Sequence, residues 1–231
     1  MPIEIEQGAI FVADAHYPNH GDDFFKLLKK IDGGEIVTSQ LFLVGDIFDL
    51  LFGYNDYIKS FSEDAIKLLN RLSLRIEIFY IEGNHDFCLS EIFPNIRVFP
   101  REVQPVRFSL NGRDVYISHG DKYCVGTFYN FYSFILRSRI FLKFFKFIDR
   151  LIIDYQMRRL KKKSICFEFE NFHKRLDRVL KNYPKDALVI EGHYHQGEIY
   201  KNYISLPSLA CSGSVGVLRG KKVIFEEFLV E

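Results

Sequence analysis

Over the first third of the chain, short apolar runs alternate with segments whose apolar residues recur every three or four positions. The runs at Ala9–Ala13, Leu41–Val44 and Ile76–Ile81 are short and almost wholly apolar, which predicts buried strands. Between them, Asp22–Lys30 and Phe61–Leu74 place their apolar residues at helical spacing and predict helices with one buried face. Strands that alternate with helices indicate an α/β architecture.

The rest of the chain adds more strand patterns and one long helical interruption. Asn111-Gly112 is a turn signal that favours a hairpin just before the next strand. No repeat or low-complexity linker divides the sequence, so we expect a single domain over residues 1–231. The further predicted strands are Val115–Ile117, Ala187–Ile190, Glu198–Ile204, Leu209–Ser212 and Val223–Leu229.

Composition narrows the class of protein. The 231 residues are 48% hydrophobic and 26% charged, which is typical of a soluble globular protein and excludes collagen-like, disordered and disulfide-scaffold classes. The 31 Lys and Arg residues nearly balance the 30 Asp and Glu residues. A net charge of +1 gives no electrostatic argument for nucleic acid, so no stable nucleic-acid complex is expected.

The cysteines bear on the cellular compartment. Cys88, Cys124, Cys166 and Cys211 are far apart and form no Cys-x-x-Cys pair, which argues against a zinc knuckle or a disulfide framework and favours free thiols in a reducing compartment. No signal-peptide pattern opens the sequence, and no apolar run is long enough to span a bilayer. We therefore expect a cytoplasmic protein, attached peripherally to the inner membrane if its helical segment faces lipid.

Each of the five main predicted strands is followed by a small cluster of Asp, Asn or His, usually beside Gly. Ligands of open α/β sheets bind at the carboxyl ends of the strands, so these clusters are expected to converge. Any one of them alone is common in ordinary turns. Five in this order, each after an apolar run, indicate a site. The clusters are Asp14-Ala15-His16, Gly45-Asp46-Ile47-Phe48-Asp49, Gly83-Asn84-His85-Asp86, His119-Gly120-Asp121 and Gly192-His193-Tyr194-His195.

The side chains of these clusters suit metal coordination. Imidazole nitrogens favour transition metals and carboxylate or amide oxygens favour harder ions, while the lack of a thiolate argues against a structural zinc site. Seven donors exceed what one ion needs and suit two ions that share a carboxylate. Two such ions can stabilise the attacking and leaving oxygens of a phosphoryl transfer. The seven candidates are Asp14, His16, Asp46, Asn84, His119, His193 and His195.

The five clusters resemble the five-block signature of the calcineurin-like metallophosphoesterases. The blocks span residues 14–195, which is most of the chain. The resemblance implies a four-layer αββα sandwich, here with a helical insertion, and a cofactor of two divalent metal ions. Manganese is the expected metal, with iron, cobalt and zinc as alternatives that the same donors accept.

The resemblance also implies a role for each matched residue. Asn84 and His85 are the expected catalytic residues, and His85 would face the substrate phosphate or its leaving group. One ion would be held by Asp14, His16, Asp46 and His195. The other would be held by Asp46, Asn84, His119 and His193, so that Asp46 bridges the two. Substrate contacts are expected from Asn84, His85, Lys162, Lys163 and His193. Asp49 and Asp86 are not expected ligands; Asp49 would have a turn role, and Asp86 would orient His85.

Within the family, the second block indicates the subclass. It is followed by Leu50-Leu51 where phosphoprotein phosphatases have Arg-Gly, which argues against that subclass. The blocks and the insertion before the last of them resemble the branch that hydrolyses UDP-2,3-diacylglucosamine to UMP and a lipid-linked sugar phosphate in lipid A biosynthesis. Its substrate is a nucleotide-linked lipid.

One departure keeps an alternative open. A large group of that branch has Arg where this chain has His85. Histidine suits protonation of an alkoxide leaving group, whereas a phosphate leaving group needs only a permanent positive clamp. A generic phosphodiesterase or nuclease of the same fold therefore remains an alternative. A non-catalytic scaffold is disfavoured because all seven donors are present.

Residues 124–183 are predicted to form the helical insertion. From Cys124 to Lys163, ten Lys and Arg face only two Asp, a net charge of +8. Arg139, Lys143, Lys146, Arg150 and Asp154 follow helical spacing and form one charged stripe, and the remaining positions form a broad apolar arc that includes Phe141, Phe144 and Phe145. A narrow basic face and a wide apolar face suit a helix at an anionic membrane surface or a lid over acyl chains.

Two simpler interpretations of the insertion stay open. The apolar arc also suits a helical hairpin that forms a homodimer. The basic run that ends in Lys162 and Lys163 suits either a grip on a diphosphate or a solvated helix end, where positive charge is favourable anyway.

Overall fold

Two mixed β-sheets form the centre of the molecule. The computed structural model describes residues 2–123, 137–138 and 149–228. The first sheet contains, in spatial order, β1 (Ile3–Glu4), β8 (Val106–Leu110), β9 (Arg113–Ser118), β10 (Leu188–Glu191), β12 (Tyr203–Pro207) and β11 (Gln196–Tyr200). The second contains β14 (Lys222–Glu227), β13 (Ser214–Arg219), β2 (Ile10–Val12), β3 (Gln40–Val44), β5 (Glu77–Ile81) and β7 (Arg97–Phe99). A short separate pair joins β4 (Leu51–Phe52) and β6 (Asp86–Phe87).

Helices cover the outer faces of both sheets. They are α1 (Asp23–Asp32), α2 (Asp56–Ser60), α3 (Glu63–Leu72), α4 (Asp149–Lys161), α5 (Phe172–Val179) and α6 (Leu209–Ser212). Short 3-10 turns cover Leu89–Glu91, Arg101–Val103 and Leu180–Asn182. Within the described ranges, no helix combines the length and apolar composition that crossing a bilayer requires.

The space between the sheets is filled by aromatic side chains. Phe42 stacks on Phe11 at 4.7 Å and on Phe79 at 4.8 Å between ring centroids, so three neighbouring strands share one aromatic layer. Phe108 of the other sheet meets Phe42 edge-on at 5.3 Å. Such paired rings contribute about 0.5–1.5 kcal/mol each beyond the apolar area they bury. This inner layer, with helices outside each sheet, confirms the predicted αββα sandwich.

The parallel strands place their carboxyl ends together. In the second sheet, β3 lies between β2 and β5, and all three run in parallel. In the first sheet, β10 lies parallel to both β9 and β12. The motif residues lie in the loops that follow β2, β3, β5, β9 and β10. Each of these five strands pairs in parallel with at least one neighbouring strand.

Apolar residues at helical spacing in the sequence form a buried helix face, as predicted. In α1, Phe24, Leu27, Leu28 and Ile31 are buried at steps of three and one, so one face packs on the second sheet. The helix predicted over Phe61–Leu74 forms as α3 (Glu63–Leu72), and the short helix α2 ends before it at Ser60. The side chain of Asn55 caps α2 by accepting a hydrogen bond from the Ile58 amide at 3.1 Å.

Two predictions in the C-terminal third are wrong. The Glu198–Ile204 segment is two antiparallel strands joined at Lys201, whose φ of 55° turns the chain. Leu209–Ser212 is the helix α6 and not a strand, because the amides of Leu209 and Ala210 donate to the carbonyls of Ala13 and Asp14. Three apolar residues and a serine do not distinguish a strand from one helical turn, so these hydrogen bonds to the loop after β2 decide the outcome.

The expectation of free thiols is also wrong for one pair of cysteines. Cys166 and Cys211 form a disulfide across 45 residues of sequence, with their Cα atoms 5.6 Å apart. Both residues are exposed. The fold brings the segment after α4 against α6, a proximity that spacing along the chain does not reveal. Cys124 lies outside the described residues.

We expect reduction of this disulfide to lower the free energy of unfolding by about 2–4 kcal/mol, because the unfolded chain regains the freedom of a long loop. Urea unfolding with and without dithiothreitol measures the loss. The Cys166→Ser variant should start at the reduced value and show no further response to dithiothreitol. An unchanged unfolding midpoint in the reduced parent protein would contradict the prediction.

Candidate metal centre

The loops after the parallel strands hold the motif residues in an unusual backbone conformation. Five of the seven predicted donors have φ values between 46° and 63°, the left-handed region that costs side-chain-bearing residues energy. Such residues cluster where a site requires a fixed geometry. The five are Asp14, His16, Asp46, His193 and His195.

One group of donors lies at the end of β2. Ligand atoms of Asp14, His16 and His195 all lie within 4.8 Å of one another. Nε2 of His195 is 3.1 Å from Oδ1 of Asp14. Oδ1 of Asp14 and Nδ1 of His16 are buried without a hydrogen bond in well-directed geometry. Buried polar atoms are nearly always satisfied, so the unsatisfied carboxylate oxygen of Asp14 fits a cation held by this group.

A second group lies at the ends of β3, β9 and β10. Ligand atoms of Asp46, His119 and His193 also lie within 4.8 Å of one another. Nε2 of His119 is 3.5 Å from Oδ2 of Asp46, 3.1 Å from Oδ1 of Asn84 and 3.0 Å from Nδ1 of His193. Four donors therefore converge on one small volume. The two groups are joined because the amide of His193 donates to Oδ2 of Asp14 at 2.8 Å.

Backbone carbonyls orient two of the imidazole rings. Nδ1 of His119 lies 3.2 Å from the carbonyl oxygen of Val44, and Nδ1 of His195 lies 2.8 Å from that of Ile165. A carbonyl only accepts, so each Nδ1 carries a proton, and Nε2 is the ring atom that would bind a metal. This is how metal-binding histidines are held.

The charges of the second group show how closely its members interact. Burial by itself lowers the pKa of His119, but the carboxylates of Asp46, Asp14 and Asp121 outweigh it and raise that pKa to about 10. Burial and the neighbouring His119 lower the pKa of His193 to about 4. One imidazolium thus balances the carboxylates where a divalent cation would do so. Oxygen and imidazole donors without a thiolate fit a divalent transition metal at both groups.

Two glycines are required by the close approach of these loops. A Cβ on Gly45 would lie 2.3 Å from Nδ1 of His119, and a Cβ on Gly83 would lie 2.3 Å from the amide nitrogen of Asp46. A side chain at Gly45 would push the second and fourth motif loops apart, and one at Gly83 would push the second and third apart. The glycines beside the donors are therefore part of the site's geometry.

His85 is held by Asp49 and not by Asp86. Nδ1 of His85 donates to the carbonyl oxygen of Asp49 at 2.7 Å, and the ring stands at 90° to that of His16 with centroids 5.3 Å apart. The expectation that Asp86 orients His85 is wrong. The Asp86 carboxylate instead accepts from the amides of Asp46, Ile47, Phe48 and Gly83 and from the hydroxyl of Tyr80.

Asp86 therefore acts as the support of the second motif loop. Its hydrogen bonds to Asp46 and Ile47 measure 3.0 and 2.7 Å, and they fix the backbone that carries the central carboxylate. Burial and the negative charge of Asp46 raise the pKa of Asp86 to about 6. The Gly-x-x-Asp sequence that ends in Asp86 does not reveal this role. Most of the backbone amides that donate to the Asp86 carboxylate belong to another loop, the one that carries Asp46.

Sequence reasoning missed His20. Its Nδ1 is 2.8 Å from Oδ1 of Asp49, and its Nε2 is 3.1 Å from the carbonyl oxygen of Lys163. His20 thus connects the loop after β2 to the end of α4. The side chains of Lys162 and Lys163 are exposed there. In the sequence, only the position of His20 four residues after His16 could have drawn attention to it.

Comparison with known proteins places the chain in a family. The profile of the calcineurin-like phosphoesterase family matches residues 9–201. A UDP-2,3-diacylglucosamine hydrolase of Shewanella halifaxensis (strain HAW-EB4) is 29% identical over 116 residues, which cover 50% of this chain and 48% of the relative. The chain therefore spans about half the length of this relative.

Longer but more distant similarities exist. The UDP-2,3-diacylglucosamine hydrolase of Blochmanniella pennsylvanica (strain BPEN) is 25% identical over 251 residues, with 95% of this chain and 96% of the relative covered. A dimetal phosphatase structure from Danio rerio is 13% identical, with a TM-score of 0.48 and coverage of 98% and 96%. The chain belongs to the calcineurin-like phosphoesterase family, which confirms the resemblance drawn from the five motifs.

Proposed function

We propose that this calcineurin-like phosphoesterase hydrolyses the pyrophosphate of a nucleotide-linked lipid sugar, with UDP-2,3-diacylglucosamine as the preferred substrate. The observation that carries the proposal is the pair of donor groups at the ends of parallel strands, joined through Asp14 and His193. The names of the relatives from Shewanella and Blochmanniella support the choice of substrate.

The metal assignment follows the two groups. Asp14, His16, Asp46 and His195 would hold one ion, and Asp46, Asn84, His119 and His193 would hold the other, so that Asp46 would be shared. Two divalent ions, manganese by preference, would supply a nucleophilic water and neutralise phosphoryl charge. Water adds across one P–O bond of the pyrophosphate, and the products are UMP and the lipid-linked sugar 1-phosphate.

Asn84 and His85 act on the substrate. Because Nδ1 of His85 is bound to Asp49, its Nε2 remains for a phosphoryl or leaving-group oxygen. Oδ1 of Asn84 faces His119, which supports its role as an amide ligand. His193 lies close enough to both groups to contact a phosphoryl oxygen.

The basic end of α4 supports recognition of a diphosphate. The His20 ring bridges the Asp49 carboxylate and the backbone carbonyl of Lys163, and Lys162 lies in the same turn of chain. A cleft of about 210 Å³ lies between α4 and the loop after β2, lined by Asn19, Phe61, Asp154, Met157, Arg158 and Lys161. Cations at this edge of the metal groups would attract the negative charges of a nucleotide diphosphate.

Described residues of α4 also support contact with lipid. Ile153 and Met157 are buried against the core, whereas Leu151 is 81% exposed and Tyr155 59% exposed. An exposed apolar side beside a basic helix end suits acyl chains or an anionic membrane surface. The predicted apolar arc of Phe141, Phe144 and Phe145, like most of the proposed insertion 124–183 before Asp149, lies outside the described residues. The exposed apolar side and the basic end of α4 are also the basis for proposing peripheral attachment to the inner membrane and a homodimer.

A direct assay tests the substrate. Purified protein with manganese should release UMP from UDP-2,3-diacylglucosamine, with a kcat/KM far above that for bis(p-nitrophenyl) phosphate, and chelation should abolish both activities. The generic phosphodiesterase is favoured by one observation, the histidine at position 85. Equal or better turnover of the simple diester would support that alternative and contradict the pyrophosphatase.

We expect the double variant Leu151→Ser/Tyr155→Ser to lower kcat/KM on the lipid-linked substrate by about tenfold, because two apolar contacts with acyl chains are lost. Turnover of bis(p-nitrophenyl) phosphate should not change, since the metal groups are untouched. Leu74→Ser is the matched control, because Leu74 is 73% exposed on another part of the surface. Equal losses on both substrates would contradict a role in lipid contact.

A further inference from the structure

A buried arginine lies directly behind two of the loops that carry metal donors. Arg175 of α5 is 2% exposed and is among the largest fully buried side chains of the described residues. It belongs to the segment in which sequence analysis found only an insertion. None of the five motif blocks includes it.

Its guanidinium group is linked to the residues on either side of His119, to Gly120 directly and to Ser118 through Glu191. Nη2 donates to the carbonyl oxygen of Gly120 at 3.0 Å and to Oε2 of Glu191 at 2.9 Å. Oε1 of Glu191 in turn accepts from the hydroxyl of Ser118 at 3.0 Å. Ser118 and Gly120 flank His119, so both bonds end at the loop that presents this histidine.

The same group reaches the last motif loop by a different contact. The guanidinium carbon lies 3.9 Å from the ring centroid of Tyr194, which separates His193 from His195. Glu191, the ion-pair partner, ends β10 two residues before His193. Arg175 therefore connects the His119 loop and the His193 loop through one planar group.

The remaining bonds of the network point away from the metal groups. Tyr203 of β12 donates to Oε2 of Glu191 at 2.6 Å and accepts from Nη1 of Arg175 at 3.1 Å. A buried ion pair of this kind costs desolvation energy and is weak evidence for stability alone. The hydrogen bond of Arg175 to Gly120 and its contact with the Tyr194 ring reach the His119 and His193 loops, which indicates a role other than stability.

We propose that Arg175 is a positioning residue of the metal centre, which sets the distance between His119 and His193 by holding both loops. This rests on the proposed function only in taking these histidines as metal ligands. The group of Asp46, His119 and His193 depends on it more than the group of Asp14, His16 and His195, because both histidines of the former group lie in loops that Arg175 contacts. Asp14 and His16 lie in the loop after β2. Outer partners that orient ligands typically account for 10–100-fold in metal affinity.

The test is metal binding, measured without substrate. The Arg175→Lys variant keeps the charge opposite Glu191 but loses the planar fork and the stack on Tyr194. Calorimetric titration of the metal-free protein with Mn²⁺ should show one of the two ions bound about 10–100-fold more weakly, while the other changes little. Hydrogen bonds to Tyr203 can be removed alone in Tyr203→Phe, which should bind both ions as the parent protein does.

Leu176→Ala controls for general destabilisation, because Leu176 is the next residue of α5 and is completely buried in the core. It should lower Tm at least as much as Arg175→Lys and leave both manganese affinities near the parent values. Parent-like manganese binding in Arg175→Lys, or an equal loss of affinity in Leu176→Ala, would overturn the proposal. A parent protein that binds two ions but does not cleave the nucleotide-linked lipid would contradict the proposed function and leave this inference standing.

Discussion

Replacing Asp46 with Ala should reduce hydrolysis by about 10³-fold or more and should remove metal from both donor groups. Its carboxylate is buried, with Oδ2 3.5 Å from Nε2 of His119 and Oδ1 accepting from the amide of His85 at 2.9 Å. As the bridging ligand, it would contribute to both ions at once. The imidazolium of His119 also loses the carboxylate that most raises its pKa.

Metal content and turnover of a simple phosphodiester measure this outcome, with circular dichroism as the check on folding. Asp121→Asn is the matched control, since Asp121 is equally buried and lies two residues from His119 but pairs with Arg101 at 2.7 Å. It should lower stability and retain two ions. Two ions per chain with near-normal turnover in Asp46→Ala would refute the shared carboxylate.

The second large effect is expected at His85 and depends on the leaving group. If the substrate is a pyrophosphate, the leaving group is a phosphate that needs little protonation. The variant His85→Arg should then keep substantial activity on UDP-2,3-diacylglucosamine, because arginine supplies a fixed positive fork. An alkoxide leaving group does need a proton, so the same variant should lose about 10²–10⁴-fold on an alkyl phosphodiester.

Turnover of both substrates, with metal occupancy measured in each protein, decides between these outcomes. His85→Ala is the companion variant, which removes the clamp and the proton donor together and should be impaired on both substrates. If His85→Arg collapses equally on the nucleotide-linked lipid and the alkyl diester, the pyrophosphatase proposal fails and the generic phosphodiesterase gains support.

The strand and helix patterns of the sequence predicted much of the fold. Burial of one face of a strand or helix requires apolar side chains at a regular spacing, and that spacing is visible in the sequence. Ala9–Ala13 contains β2, and Ile76–Ile81 contains β5, since an almost wholly apolar run is stable only between two packed layers. The Asn111-Gly112 turn forms as predicted, with both residues at positive φ. The strand predicted over Leu209–Ser212 did not form. A segment of only four residues adopts the conformation in which the neighbouring loop can accept its hydrogen bonds.

Convergence of the donors was also predictable from the sequence. Each motif follows a strand, and the parallel strands of one sheet bring their carboxyl ends to one edge. Asp46 follows β3 of the second sheet and His119 follows β9 of the first, so their meeting across 73 residues of sequence also requires the two sheets to pack with these edges together. Residue type and position relative to a strand therefore predicted the members of the site, and the packing of the sheets decided their contacts.

Only the tertiary structure decided which groups hold the donors in place. Asp86 supports the Asp46 loop, His20 ties that region to α4, and Arg175 joins two loops from a helix outside the motifs. The Cys166–Cys211 disulfide belongs to the same class. Each of these interactions joins segments that are distant in sequence and depends on angles and distances of a few ångströms. Local pattern encodes burial and chain direction, whereas such contacts arise from how the finished layers pack.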